Sequence, residues 1–372
     1  MSQMFKKWIP AAVVPVVIAG VIVAVPMAAS ASGSLPEKTP QEILALVAAS
    51  DIRAVSGTFE QTSNLGLPQL PTGTQSQGST AQAASALELL TGNHTARVYA
   101  DNTNGAKNMR LQVLDPMAER DVIRSGSDVW LYDSKKQTAT HVTLPEKTDA
   151  RGGVPGAGAA QTPDQLAARL LAAVTPSTTV SVGSDVTVAG RSAYDLVLTP
   201  EASDTLIGSV SIAVDGTTGM PLKVEIVPKG SADPAFTTAF TAISFDSPSA
   251  ELFAFTPPAG TTVTEQAVPA EATKPSGEVG KATGNSADKP VVTGTGWSSI
   301  IELNVGTDQS ALTSSPLFAQ LMTPVDGGNV FSTSLVNVLL TTDGRVFAGS
   351  VSAEALQAAA AAGLPAPAPA MN

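Results

Sequence analysis

Residues 95–144 read TARVYADNTNGAKNMRLQVLDPMAERDVIRSGSDVWLYDSKKQTATHVTL. The stretch divides into short segments rich in β-branched and aromatic residues: Thr95–Ala100, Met109–Leu114, Glu119–Arg124, Val129–Asp133 and Thr138–Leu144. Turn-forming clusters separate them, namely Asn102-Thr103-Asn104-Gly105, Asp115-Pro116, Ser125-Gly126-Ser127 and Asp133-Ser134-Lys135-Lys136. Connections this short join antiparallel neighbours, because parallel strands need a longer crossover. The spacing therefore predicts an antiparallel meander.

Upstream, Thr39-Pro40-Gln41-Glu42 forms a capping box with proline at the first helical position, and Ile43, Leu46 and Val47 follow at helical spacing. From Val55 the period becomes two, with Val55, Gly57, Phe59 and Gln61 on one phase, which reads as a strand. A polar loop over 66–80 leads to a weak helix at Gln82–Leu90. Downstream, a glycine-rich loop (Arg151–Ala160) precedes a helix opened by Thr162-Pro163-Asp164-Gln165 and closed by Pro176. Strands then return at Thr179–Val188, Arg191–Thr199, Ser209–Val214, Leu222–Pro228 and Phe236–Asp246, with Asp215-Gly216 as the strongest hairpin signal. Pro257-Pro258-Ala259-Gly260 closes this body, and residues 265–293 are polar and without period. The tail adds a strand at Trp297–Val305, a helix at Pro316–Met322, a hairpin of Phe331–Leu340 with Arg345–Val351, and an alanine-rich helix at Ala353–Ala362. Many short antiparallel strands with a few separated helices predict an α+β fold: one strongly curved sheet with helices on one face.

At the amino terminus Lys6 and Lys7 precede the uncharged run WIPAAVVPVVIAGVIVAVPM (8–27), which ends near Ala29-Ser30-Ala31. That pattern fits a cleaved signal peptide, and its length also fits an N-terminal membrane anchor; both readings export the remainder. The 372-residue chain has no cysteine, so a disulfide framework, a thiolate metal site, a cysteine nucleophile and lipoprotein acylation are excluded. A net charge of −11 argues against nucleic acid as a partner. Only 14% of the residues are charged, while 43% are hydrophobic, so the chain must hide apolar surface or bind something with it.

Candidate chemistry is sparse. His141 sits in an alternating run and is expected as an exposed strand residue, and His94 is expected in a turn. No nucleophile elbow, zinc-protease or phosphate-loop motif occurs. Asp101, Asp115, Asp121, Asp128 and Asp133 recur along the meander, where capping of turns is the expected role rather than calcium binding. No catalytic residue, metal site or cofactor is expected. Large apolar residues alternate at Met109/Leu111/Val113, Val129/Leu131 and Leu222/Val224/Ile226, while Leu114, Trp130, Tyr132, Leu196, Leu198, Ile243 and Phe245 fall on the other phase of their strands. On pattern alone, an ordinary core beneath helices and a concave sheet holding a lipid chain stand equal. A 16-carbon acyl chain would supply on the order of 10 kcal/mol at about 0.8 kcal/mol per buried methylene, before ordering costs. Helices such as those at Pro40–Ala49 and Pro163–Val174 would then serve as a lid.

Four stretches carry a family resemblance: Leu114–Val122, Asp128–Ser134, Val214–Val224 and Phe253–Gly260. Over about residues 36–265 the chain resembles the LolA-like lipoprotein-carrier superfamily, in particular its actinobacterial exported branch, and is similar to the amino-terminal domain of the RseB/MucB sigma-factor regulators. The resemblance implies a half-open β-barrel with helices covering the concave face, and non-catalytic binding of a lipid or lipoprotein acyl chain at the extracytoplasmic face of the cell membrane, anchored or secreted. The candidate ligand-binding residues are Phe59, Val98, Met109, Leu111, Val113, Leu131, Val224, Ile226 and Phe240. The alternative is an envelope sensory module of RseB type that acts through a membrane protein partner. The expected organisation is an export segment or anchor (1–31), a half-barrel domain (36–265), a linker (266–296), an extension packing on the main sheet (297–363) and a frayed tail (364–372).

Overall fold

The computed structural model describes residues 35–67, 91–105, 107–115, 118–144, 162–172, 177–267, 291–304 and 321–362. The export segment, the helix at 82–90, the loop at 151–160, most of the polar stretch 265–293, residues 316–320 of the tail helix and the tail 364–372 lie outside the described residues.

The main sheet contains β1 (Ala54–Ser63), β2 (His94–Asp101), β3 (Asn108–Asp115), β4 (Ala118–Ser125), β5 (Asp128–Asp133), β6 (Thr138–Thr143), β7 (Thr178–Val182), β8 (Val186–Val188), β9 (Arg191–Pro200), β10 (Ile207–Asp215), β11 (Pro221–Pro228), β12 (Phe236–Ser244) and β13 (Thr262–Ala267). Their spatial order is β13-β6-β5-β4-β3-β2-β1-β12-β11-β10-β9-β7, with β8 also on β9. The terminal strands β13 and β7 do not pair, so the curved sheet is a half-open barrel. The meander β2–β6 is as the turn spacing predicts. Strand β1 joins it to the second meander, β9–β12, through antiparallel pairing on both sides. The expected strand at 179–188 is two short strands. One pair departs from the antiparallel rule: β13 runs parallel to β6, because residues 245–261 first cross the sheet.

Two helices rest on this sheet, α1 (Pro40–Ala48) and α2 (Pro163–Ala172). The capping box of α1 is formed as read, with the Glu42 amide donating to Thr39 Oγ1 and the Thr39 amide donating to Glu42 Oε2. Helix α1 packs on β7 and β9, and α2 on β11 and β12. Gly219 fits only as glycine: its φ is +73°, and a Cβ there would lie 2.3 Å from the Leu46 carbonyl oxygen at the end of α1.

The β10–β11 hairpin is fixed by Asp215, whose side chain is almost fully buried. Its carboxylate accepts bonds from Arg191 Nε and Nη2, from the Thr217 and Thr218 amides at 3.1 and 2.7 Å, and from Thr218 Oγ1 at 2.8 Å. The Arg191 guanidinium also lies over the Phe245 ring, 4.8 Å from its centre.

The tail forms a sheet of its own. Strands β14 (Val291–Thr293), β15 (Ile300–Asn304), β16 (Met322–Val325), β17 (Gly328–Ser332), β18 (Asn337–Thr341) and β19 (Arg345–Gly349) pair in the order β14-β15-β19-β18-β17-β16. Helix α3 (Ala353–Ala362) covers the face that carries Val330, Leu339 and Phe347. The segment read as one strand at 331–340 is therefore parts of two, Met322 belongs to a strand rather than a helix, and β13 and β14 occupy the two ends of the stretch read as periodless. The two sheets meet at Thr205, which bridges Val351 and whose hydroxyl contacts the carbonyls of Trp297 and Ser350 at 3.2 and 3.0 Å. Trp297 Nε1 donates to Thr178 Oγ1 on the edge strand β7.

Burial alone would raise the pKa of Asp215, but the bonds from Arg191 and Thr218 outweigh it and hold the carboxyl below its ordinary value. A depressed carboxylate contributes stability that is complete above the unfolded-chain pKa of about 3.9 and is lost as the pH falls through the lower folded value. Asp215→Ala leaves Arg191 unpaired and should cost about 3 kcal/mol in urea unfolding at neutral pH. A loss below about 1 kcal/mol would show that the hairpin does not depend on this pair.

Candidate functional site

The cross-strand register brings all nine candidate residues to one face of the main sheet. Phe59 lies opposite both Ala96 and Phe240; Val98 opposite Gly57 and Leu111; Val113 opposite Ala96; Met109 opposite Ala100; and Leu131 opposite Val122, which in turn faces Leu111. On the other side of β1, Val224 faces Thr238 and Ile226 faces Phe236, and these share the phase of Phe240. Side chains alternate strictly along a strand, so residues linked in this way point the same way.

Residues that the sequence did not single out join them. Val210 and Ile212 on β10 carry the face onward to Leu198 and Leu196. Assigned by parity alone to the other phase, these two leucines belong to the candidate face. Ile243 does too, for a local reason: β12 carries a bulge against β1, so that Gly57 faces Ile243 while Phe59 faces Phe240. Residues of opposite parity thereby share a side. Neither fact is visible in one strand read by itself.

At the junction of the two halves, the Phe59 and Phe240 rings meet edge to face with centroids 5.9 Å apart, and each residue is only 2% exposed. A Cβ on Gly57 would lie 2.8 Å from the Phe240 ring and 2.8 Å from the Ala242 carbonyl, so the missing side chain makes room for the ring. Val98, Leu111 and Val113 pack with this pair in one buried cluster. Val224 is fully buried, whereas Ile226, Met109 and Leu131 are half-buried.

Both helices cover this side. Lys223 and Glu225 alternate to the opposite surface, where they form a 2.7 Å ion pair, so α2 on β11 lies over Leu222 and Val224. Among the described residues the helices roof β7, β9, β11 and β12, while Val122 on β4 and Leu131 on β5 stay half-buried. Polar groups of this face stand in a row across the strands, with His94 on β2 facing Gln61 on β1 and Gln61 facing Thr238 on β12. Gln61 and Thr238 pair across β1 and β12, both buried. On β4, Arg120 binds Asp115 Oδ2 at 2.7 Å, and Arg124 donates to the Gly126 carbonyl at 3.0 Å; burial pushes the Arg124 pKa down.

The opposite face of β3–β6 is closed by the chain itself. Residues 245–261 cross it: Arg110 Nη1 donates to the Leu252 carbonyl at 3.3 Å, Phe253 is buried, and Phe255 packs on Trp130 and Tyr132 with centroids 5.5 and 5.4 Å apart. Beneath this strap Arg110 also pairs with Asp121, a carboxylate whose pKa burial raises. His141 is therefore no free strand residue. It stacks on Trp130 at 4.3 Å and contacts Glu265 Oε2 at 2.7 Å and Asp128 Oδ1 at 3.1 Å, which joins β13 to the sheet edge. His94 opens β2 and lies 3.2 Å from Asp115 Oδ1 instead of standing in a turn. Of the five aspartates, Asp101 and Asp133 cap turns through the Thr103 and Lys136 amides, and the other three engage basic side chains. Among the described residues no three His, Asp or Glu side chains converge as metal ligands, and no helix is long and apolar enough to cross a membrane.

The sequence matches no family model and no curated protein. Its structural neighbours include LolA-superfamily and MucB proteins. MucB of Pseudomonas aeruginosa, solved as a complex with MucA, is similar at 14% identity over 86% of this chain and 96% of that one, with a TM-score of 0.44. A LolA-superfamily protein from Nitrosomonas europaea is similar at 10% identity over 59% of this chain and 99% of that one, with a TM-score of 0.23. An outer membrane lipoprotein-sorting domain from Vibrio parahaemolyticus is similar at 11% identity over 55% and 89% of the two chains, with a TM-score of 0.21.

Gly57→Ala should destabilise the protein by about 1–3 kcal/mol in chemical unfolding, the usual range for overpacking. In a Phe240→Ala background the same change should cost less, because the ring it would strike is gone and only the clash with the Ala242 carbonyl remains. Equal costs in both backgrounds would show that Gly57 does not accommodate Phe240.

Proposed function

We propose that this chain is an exported, non-catalytic binding protein that holds the acyl chain of a lipid or lipoprotein on the concave face of the half-barrel. One observation carries the reading: the apolar candidates of six strands share a single face, covered by α1 and α2 over one half and half-buried at Met109, Val122 and Leu131 over the other. Such a surface gives an acyl chain affinity without charge, since each buried methylene contributes about 0.8 kcal/mol. Of the two histidines, His141 lies on the strap side, while His94 stands on this face opposite Gln61 and contacts Asp115 Oδ1 at 3.2 Å. The export segment at 1–31 supports action at the outer side of the cytoplasmic membrane, to which a retained segment would tether the domain.

Native mass spectrometry of the protein purified from its own host should find a co-purifying acyl ligand. Leu131→Glu, which sets a charge on the half-buried part of the face, should lower ligand occupancy about ten-fold with the circular dichroism spectrum unchanged. A folded wild-type protein that carries no lipid and takes up none from detergent-free vesicles contradicts the reading. A membrane protein co-purifying with such lipid-free protein would instead favour the regulatory alternative of RseB type.

A further inference from the structure

Among the described residues, one polar group of the candidate face is left unexplained by the structure around it. Thr238 is fully buried, with 0% exposure, and its hydroxyl has no hydrogen-bond partner among the described residues. Register places it on the candidate face, opposite Gln61 on β1 and Val224 on β11, with Phe236 and Phe240 two residues away on the same side. Valine has nearly the same shape and suits a strand equally well, so a lone hydroxyl here lowers the stability of the empty protein. Buried polar atoms almost always have a partner, and those that lack one call for a reason.

We infer that Thr238 is the point at which the ligand's linkage group is recognised, and that the ligand is an acyl chain joined through a neutral ester or amide carbonyl rather than a free fatty acid. This rests on the acyl-binding reading above. A hydroxyl can donate one bond to a carbonyl oxygen, which fills the vacancy at Thr238. An ionised carboxylate would be buried there without a cation, at a high cost. The basic side chains of this face are His94 on β2, two strands away and already in contact with Asp115 Oδ1 at 3.2 Å, and Arg120 and Arg124 on β4, four strands from β12 and so about 19 Å along the sheet at the usual strand spacing. Lys223, on the neighbouring strand, points to the other surface, where it pairs with Glu225. With the carbonyl at Thr238, the chain can run past the Phe59–Phe240 pair toward Val98 and Leu111. Since α2 packs on β11 and β12, the ligand enters by displacing that helix.

The test compares binding of 1-monopalmitoylglycerol with that of 1-O-hexadecylglycerol, the ether that lacks the carbonyl, to the full chain. Wild type should prefer the ester by about two- to ten-fold, the range of one neutral hydrogen bond. Thr238→Val should abolish that preference, leave ether binding unchanged and raise the Tm of the ligand-free protein, while Thr238→Ser should restore the preference. N-palmitoylglycinamide adds the amide arm: tighter binding than the ester points to amide-linked lipoprotein chains, weaker binding to glycerolipids, and either order upholds recognition of a carbonyl. Equal binding of ester and ether by wild type, or a preference that survives in Thr238→Val, overturns the inference and leaves acyl binding intact. Failure of wild type to bind any of the three overturns both.

Discussion

The arrangement depends on the register across β1. A strand has two sides, and a slip of one residue would send every apolar side chain of one meander to the opposite surface. Strand β1 is paired on both flanks, with β2 and with β12, and so decides whether the two meanders present their apolar sides together. They do, and the bulge in β12 is part of the reason: it brings Ile243 and Phe240 to the same side, against Gly57 and Phe59. The edge-to-face aromatic pair closes the seam, and the bare backbone at Gly57 admits it.

Two different coverings follow from that choice of side. On the outer surface the chain uses its own strap, residues 245–261, whose Phe253 and Phe255 seal the region around Trp130 and Tyr132 and whose end continues as the parallel strand β13. On the inner surface the described covering includes the separate helices α1 and α2, which meet the sheet over one half, and β8, whose Val188 joins the cluster around Phe59 and Phe240. The outer side is thus tied by aromatic packing, an arginine bond to Leu252 and the His141 contacts, whereas α2 is a 10-residue helix lying over Val224. A short helix on a preformed apolar face is a suitable moving part, since its stability comes from tertiary contacts rather than from the helix itself.

The sequence made the local elements legible wherever turn chemistry was explicit. The Asp215-Gly216 hairpin, the Thr39 capping box and the meander from Thr95 to Leu144 all form as read, because each is settled by neighbours within a few residues. What the sequence could not supply is long-range pairing. Leu196 and Leu198 were misplaced because their side of the sheet is set through β10 and β11, and His141 was misjudged because Glu265 lies 124 positions away. The second sheet was under-read for a related reason: β14 and β16 are only three and four residues long and gain their structure from partners. Thr238 could not be flagged in the sequence, since a threonine in a strand is ordinary until its hydroxyl is found buried and alone.

The most direct measurement is photo-crosslinking of an acyl chain that carries a diazirine near its end, followed by mapping of the adducts by mass spectrometry. The account predicts labels on the inner residues of β1–β5, β11 and β12, such as Leu111 and Leu131, and none on Trp130 or Tyr132 beneath the strap or on Val292 and Ile301 of the second sheet. Adducts concentrated on the second sheet or on the outer face would contradict it.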